Sequence, residues 1–404
     1  MGKHVRALVS SHVQSFHCIG GDCPDTCCQG WRVDIDKGAF DLYQRMTDPK
    51  FGPALREAVV PNTDRQTPEA YATLKMNRDG KCPLLTGDGL CSVHKDLGPQ
   101  YLSHLCLTYP RKYQTVDGRL EKSANISCPE VSRLALLQPE GVKFEQVDEP
   151  VSQILMGSTL QVPARLQPLF WDIRLFCLGL LQERAYTIPE RLIGLGLFVQ
   201  SLQRCVDRAE YAKIPELILR FTRLSQSGEL RQPIPTGEAN VLVQMKLVSQ
   251  LFNIMGSRQL SPRSKALWRE FLEGIGYRNA VPVEQVAGTY KNARESIYLP
   301  FLRDYEYLME NYLVHQAYTN VFPFNPEGAL FQSYAELVVD YSLLVVQLVG
   351  RGAFHGRLWP ELVVESASMH AREMTHNAER RKDLIDWLKK SELFTLGTIA
   401  TMLA

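Results

Sequence analysis

Apolar and polar positions change their period along the chain. From about residue 169 onward apolar residues recur three and four apart, which predicts helices over 169–184, 189–212, 214–225, 239–253, 261–274, 293–320, 329–349, 360–375 and 380–390. Pro189 and Pro360 stand where helices commonly begin. The front of the chain reads differently: Trp31 to Ile35 alternates as a strand does, Asp36 to Met46 has helical spacing, and Gly, Pro and Asp break the rest into short pieces. Between Pro139 and Pro168 the recurring prolines and glycines predict a connection between two parts. No internal repeat and no alternation of strands with helices is visible. The expected fold is therefore mainly α, with residues 1–140 a small cysteine-rich metal-binding domain of short irregular elements. Residues 141–404 are expected to form a larger all-helical domain on which a substrate docks.

Length and composition narrow this picture. A chain of 404 residues is long for one core, which favours two domains. Apolar content of 45% and charged content of 22% exclude a disordered or fibrous chain. With 45 Lys and Arg against 44 Asp and Glu, the net charge of +1 gives no reason to expect nucleic acid as a partner. Residues 1–10 alternate charged and apolar side chains and lack the unbroken apolar core of a secretory signal. The apolar stretch 337–350 is shorter than the roughly 20 residues of a spanning helix, and Asp340 interrupts it. No membrane span and a cytoplasmic location are expected. In that compartment thiols stay reduced, so cysteine-rich patterns point to metal rather than to disulfides.

Ten cysteines are present, and eight of them fall between Cys18 and Cys128. They form Cys18-x4-Cys23-x3-Cys27-Cys28 and Cys82-x8-Cys91-x14-Cys106-x21-Cys128. Four thiolates complete either a tetrahedral zinc site or a four-iron cluster. The close C-x2-C pairs that wrap one zinc ion are missing, and wide gaps suit a cluster that presents several irons, so iron-sulfur is favoured and zinc is the alternative. Adjacent side chains diverge on extended backbone, so Cys27 and Cys28 would need a special turn to reach one centre. Cys177 and Cys205 lie in apolar helical patterns and read as buried side chains.

Other residues carry weaker signals. Asp34 and Asp36 share a face that would capture a cationic lysine, although a solvated face leading into a helix explains them more simply. Tyr109 and Arg111 would contact a cluster or a substrate carboxylate, but Pro110 also makes an ordinary helix-ending turn. His17, His94 and His104 neighbour the thiols. The tyrosines at 298, 305, 307, 312 and 318 suit cation-π contacts with a methylated ammonium, and suit ordinary packing better.

The run Phe16-His-Cys18-Ile-Gly-Gly-Asp-Cys23-Pro-Asp-Thr-Cys27-Cys28-Gln-Gly-Trp31-Arg-Val-Asp-Ile-Asp36 closely resembles the opening motif of the flagellin lysine-N-methylase family, part of a wider set of cysteine-cluster proteins. Lys81-Cys82-Pro-Leu-Leu, Gly89-Leu-Cys91-Ser-Val-His94, Leu105-Cys106-Leu-Thr-Tyr-Pro-Arg111 and Ile126-Ser-Cys128-Pro-Glu130 are similar to its later cysteine segments. Similarity continues through 173–182 and 310–324. The resemblance implies methyl transfer from S-adenosylmethionine to lysine side chains of flagellin, with a four-iron cluster associated with the enzyme. It leaves catalytic and S-adenosylmethionine-binding residues unassigned. The radical spacing C-x3-C-x2-C is absent, because Gly30 stands where the third cysteine would fall after Cys23 and Cys27. No strand leads into a glycine-rich turn of the dinucleotide type, and Gly194-Leu-Gly196 lies inside a helical pattern. The competing readings are an iron-sulfur electron-transfer or metal-binding protein, and a structural zinc adaptor, neither with methyltransferase activity.

Overall fold

The computed structural model describes residues 4–63, 66–116, 118–150, 158–160, 162–231, 241, 244–246, 249–250, 262–277, 281–325, 329–375 and 378–403. The alternating N-terminus becomes strand β1 (His4–Ser10), which turns Ala7 and Val9 into the core. After the short α1 (Ser11–Gln14) come β2 (Asp34–Ile35), α2 (Lys37–Arg45), α3 (Phe51–Ala58), β3 (Val59–Pro61) and β4 (Ala72–Leu74). Helices α4 (Ser92–Asp96) and α5 (His104–Thr108) carry two of the cysteine segments into the hairpin β5 (Arg111–Val116) and β6 (Arg119–Ala124). Gly118, at φ 73°, supplies the left-handed turn residue between them. Helix α6 (Pro129–Leu136) and strands β7 (Phe144–Pro150) and β8 (Ser158–Leu160) complete this part.

The front is therefore not a set of irregular pieces. It holds a five-stranded sheet in the order β7-β1-β6-β5-β8 and a three-stranded sheet in the order β2-β4-β3. Ala7 of β1 stands opposite Leu120 of β6 in parallel and Val147 of β7 in antiparallel pairing. The stretch after residue 139 is not a free tether, since β7 and β8 both belong to this sheet.

The rest is helical, as the periodicity predicts: α7 (Phe170–Leu181), α8 (Ile188–Asp207), α9 (Ile214–Ser227), α10 (Pro262–Gly274), α11 (Val283–Ala293), α12 (Leu299–Thr319), α13 (Leu330–His355), α14 (Pro360–Thr375), α15 (Ala378–Lys390) and α16 (Leu396–Thr401). Most of the helix expected over 239–253 lies outside the described residues. A π turn at Arg294–Tyr298 feeds α12, and α11 and α16 were not expected from the pattern. Helix α13 is long and apolar enough to cross a membrane, but 78% of its most apolar window is buried inside the protein. Helix α10 crosses it so closely that a Cβ on Gly274 would meet the Gly350 carbonyl oxygen at 1.8 Å. Only glycine permits that approach.

One continuous core runs from Val116 in the hairpin to Leu403 near the end. Polar clamps cross it. Arg174 on α7 is fully buried and forms a two-pronged ion pair with Glu121 on β6, which is equally buried, while its Nη2 also donates to the Tyr318 carbonyl at 2.9 Å. Arg191 on α8 pairs with Glu310 on α12 at 2.7 Å. Buried charges persist only when partnered in this way, so these pairs fix how the helices sit on the sheet.

Candidate functional site

The cysteine region is built by capping and clamping. Asp36 ends β2 and accepts a hydrogen bond from the Ala39 amide at 2.9 Å, capping α2. Its other oxygen accepts from the His104 amide at 2.8 Å, so one carboxylate caps α2 and α5 together and draws Cys106 toward the small sheet. Asp34 pairs with Arg32 at 2.8 Å. Both acids are thus engaged in local structure.

Five thiols then meet. Cys27, Cys28, Cys82, Cys91 and Cys106 line one cavity of about 80 Å³, closed on its apolar side by Trp31, Val33 and Ile35. The turn that Cys27 and Cys28 would need to reach one centre is present, and their thiols hydrogen-bond to each other. That bond holds the Cys27 thiol down to about 7, helped by the Arg372 charge. Burial pushes Cys82 up to about 11 and Cys106 up to about 12. The same thiol–thiol bond and burial raise Cys28 strongly. Cys27 is thus favoured as a thiolate, and a thiolate rather than a thiol is the metal ligand.

Cys18, Cys23 and Cys128 stand beside this cavity rather than on its wall. Cys18 is exposed, Cys23 half-buried and Cys128 buried. Cys128 feels the charges of Cys23 and Cys27, and burial pushes it up to about 11. Of the histidines, His94 lines the cavity, burial lowers His104, and His17 is exposed with its ring against the Ser15 carbonyl. Among the described residues no three Cys, His, Asp or Glu side chains close around a single metal ion.

The helical part holds the thiol loop from behind. Arg372 on α14 forms a 3.0 Å ion pair with Asp25 and donates to the Thr26 carbonyl at 3.1 Å. Ser368 on the same helix donates to the Ser127 carbonyl, and the Ser127 hydroxyl meets the Tyr109 hydroxyl at 3.1 Å. The Tyr109 ring packs on Trp31, whose indole N–H donates to the Cys27 carbonyl at 2.6 Å. Sequence reasoning missed Arg372 altogether, and single it out it could not, since one arginine in an amphipathic helix reads as solvated surface. Arg111 stacks on Phe16 rather than on a thiol. Cys177 is fully buried, as expected, and Cys205 half-buried. The tyrosines of α12 serve packing: Tyr318 donates to the Leu8 carbonyl and Tyr312 to Asp340.

Comparison with known proteins points one way. The family model described as the FliB lysine N-methylase C-terminal domain matches residues 174–402, more than half of the chain. A protein named lysine-N-methylase from Salmonella choleraesuis is 24% identical over 388 residues, 94% of each chain. Its namesake from Salmonella typhimurium is 23% identical over the same share. A flagellar biosynthetic protein FliU from Salmonella muenchen is 29% identical over 141 residues, covering 35% of this chain and 82% of that protein. No solved structure matches. With a sheet-backed thiol region in front and the matched helical body behind it, the chain belongs to the FliB lysine N-methylase family.

Proposed function

We propose that this protein is a cytoplasmic methyltransferase that moves the methyl group of S-adenosylmethionine to lysine side chains of flagellin, with an iron-sulfur centre held by its front cysteines. The observation that carries this reading is the full-length likeness to two proteins named lysine-N-methylase, together with a flagellar name on a third relative. Supporting it, the thiols that resemble the family's motif converge instead of scattering.

The donor set suits such a centre. Thiolates around one zinc ion must all lie about 2.3 Å from a single point. Those of a cluster bind separate irons and need only surround it. Five thiols around one cavity, with no three converging on a point, fit the second demand better. Four of the five would hold the cluster, and Cys18, Cys23 and Cys128 would flank it. Such a centre, when bound, supplies either redox chemistry or a rigid staple.

The transfer itself balances without an electron donor. A lysine ammonium, with a reference pKa of about 10.4, has no lone pair, so the target must first give its proton to solvent or a base. The nitrogen pair then bonds to the methyl carbon, and the carbon–sulfur pair leaves with sulfur as a neutral thioether. The product is a secondary ammonium, and the one proton released overall is that given up by the lysine at the start. What the chain must provide is a grip on the donor and a dry approach for the neutral amine.

The test is to incubate anaerobically purified, iron-loaded protein with S-adenosylmethionine and flagellin and to weigh the flagellin. Whole methyl increments on lysine are expected. An unchanged mass, with the metal centre intact, would leave only a metal-binding or electron-transfer role.

A further inference from the structure

A second cavity, of about 400 Å³, opens away from the thiols, where β5 and β8 meet the end of α12 and the start of α13. That size lies within the range of small-molecule sites. Its charges are unusual. Lys112 on β5 faces it largely buried, and its only hydrogen-bond acceptor among the described residues is the Thr319 carbonyl at 2.9 Å. Arg381 on α15 faces the same space. Among the described residues neither makes an ion pair, although the buried Arg174, Arg191, Arg351 and Arg372 all do. Burial and the Arg381 charge together lower Lys112 to about 8.

Two cations that share a cavity and, among the described residues, make no ion pair there leave room for an anion, because a buried charge is costly until it is partnered. The same cavity also carries carboxylates. Glu336 takes a single hydrogen bond among the described residues, from Gln332 at 3.0 Å. Asp340 is held as an anion by His370 at 3.0 Å, by Tyr312 at 2.5 Å and by the Arg381 charge, and Gln316 donates to it at 3.3 Å. Phe322 and Phe324 supply an apolar wall. A ligand matched to this arrangement is a zwitterion that also carries a flat apolar ring.

We infer that this cavity seats S-adenosylmethionine, its carboxylate between Lys112 and Arg381, its cationic end toward Glu336 and Asp340, and its adenine against Phe322 and Phe324. The assignment rests on the methyl donor proposed above and adds its location. It separates donor binding from the thiols, so the two halves of the site can be disabled one at a time. Lys112, Arg381 and Glu336 hold the donor; Asp340, fixed by three partners, positions Tyr312 and Gln316 and sets the local charge.

Calorimetry with S-adenosylmethionine and S-adenosylhomocysteine on the iron-loaded protein tests it. Arg381→Gln and Lys112→Met are each expected to weaken both ligands at least about tenfold, with the visible spectrum unchanged and no loss of melting temperature. Adding S-adenosylmethionine to the wild-type protein is expected to slow hydrogen exchange over residues 316–325, a measurement that needs no variant to fold. Unchanged affinity in Arg381→Gln, or protection confined to the cysteine segments, would overturn the inference while leaving the proposed activity standing. Wild-type protein that binds no S-adenosylmethionine would overturn the choice of donor, and this location with it.

Discussion

The thiol region and the helical body are held together by different means. Behind residue 116 a single apolar core reaches the end of the chain, crossed by fully buried ion pairs. Around the thiols the apolar core is small, centred on Val33, Ile35, Leu55 and Ala72, and its loops hang on individual hydrogen bonds from Asp36, Trp31 and Arg372. A core of that size seldom stabilises itself, and small domains of this kind commonly rely on a metal or on docking. Helix α14 provides the docking. The comparison teaches that the helical body scaffolds the cysteine loops, so damage to the body should be global and damage to the clamps local.

The largest effect should come from Arg174→Met. It strands the Glu121 carboxylate in a fully buried place, and breaking such a pair costs about 3–5 kcal/mol. Chemical denaturation should show the whole helical signal melting early. If only the cysteine segments loosened, the two regions would not differ as described.

Arg372→Met should cost somewhat less, roughly 2–4 kcal/mol, and act on the thiol loop. Hydrogen exchange is expected to speed up over 23–31 while α7, α8 and α13 keep their protection. Uniform acceleration would contradict the local role. Asp36→Ala removes caps from two helices at once and should cost about 2 kcal/mol, read as a lower melting temperature with the fold intact.

Lys112→Met should act in the opposite sense. Lys112 titrates near 8 in the folded protein against an ordinary 10.5, lowered by burial and Arg381 and partly offset by Glu121 below it. Below pH 8 both folded and unfolded chains carry the charge, and the folded one bears its burial cost. Between pH 8 and 10.5 the unfolded chain alone remains protonated, so wild-type stability recovers as pH rises. The ligand-free variant should therefore be about 1–2 kcal/mol more stable than wild type at pH 7, the difference vanishing above pH 10.5. Equal stability at both pH values would show that Lys112 is at no cost in its place, and the argument for an anionic ligand would weaken.

Legibility in the sequence follows the same division. Helix α14 appears with its true bounds, because Pro360 opens it and its apolar period is unbroken. The sheet does not, although its parts leave traces: residues 4–10 alternate, and Asp117-Gly118 between two alternating runs is a hairpin signal. What sequence conceals is the partner, since Ala7 pairs with Leu120 and Val147, more than a hundred residues away. The convergence of the thiols is suggested by their clustering, yet the choice of five for one wall depends on the turn at Cys27 and Cys28 and on the double cap by Asp36. The Lys112 and Arg381 pairing lies beyond any local pattern, because β5 and α15 are far apart in the chain and each cation alone resembles surface charge.

The central claim is that four of the five cavity thiols hold one iron-sulfur centre. Replacing any two of the five must then remove at least one ligand, so iron and sulfide analysis of an anaerobically purified Cys82→Ser/Cys106→Ser variant tests it most directly. The account predicts a brown wild-type protein with iron and sulfide in near-equal amounts, and a variant that has lost both while α7 to α14 stay folded. A variant with wild-type iron and sulfide, or a colourless wild-type protein carrying zinc, would contradict it.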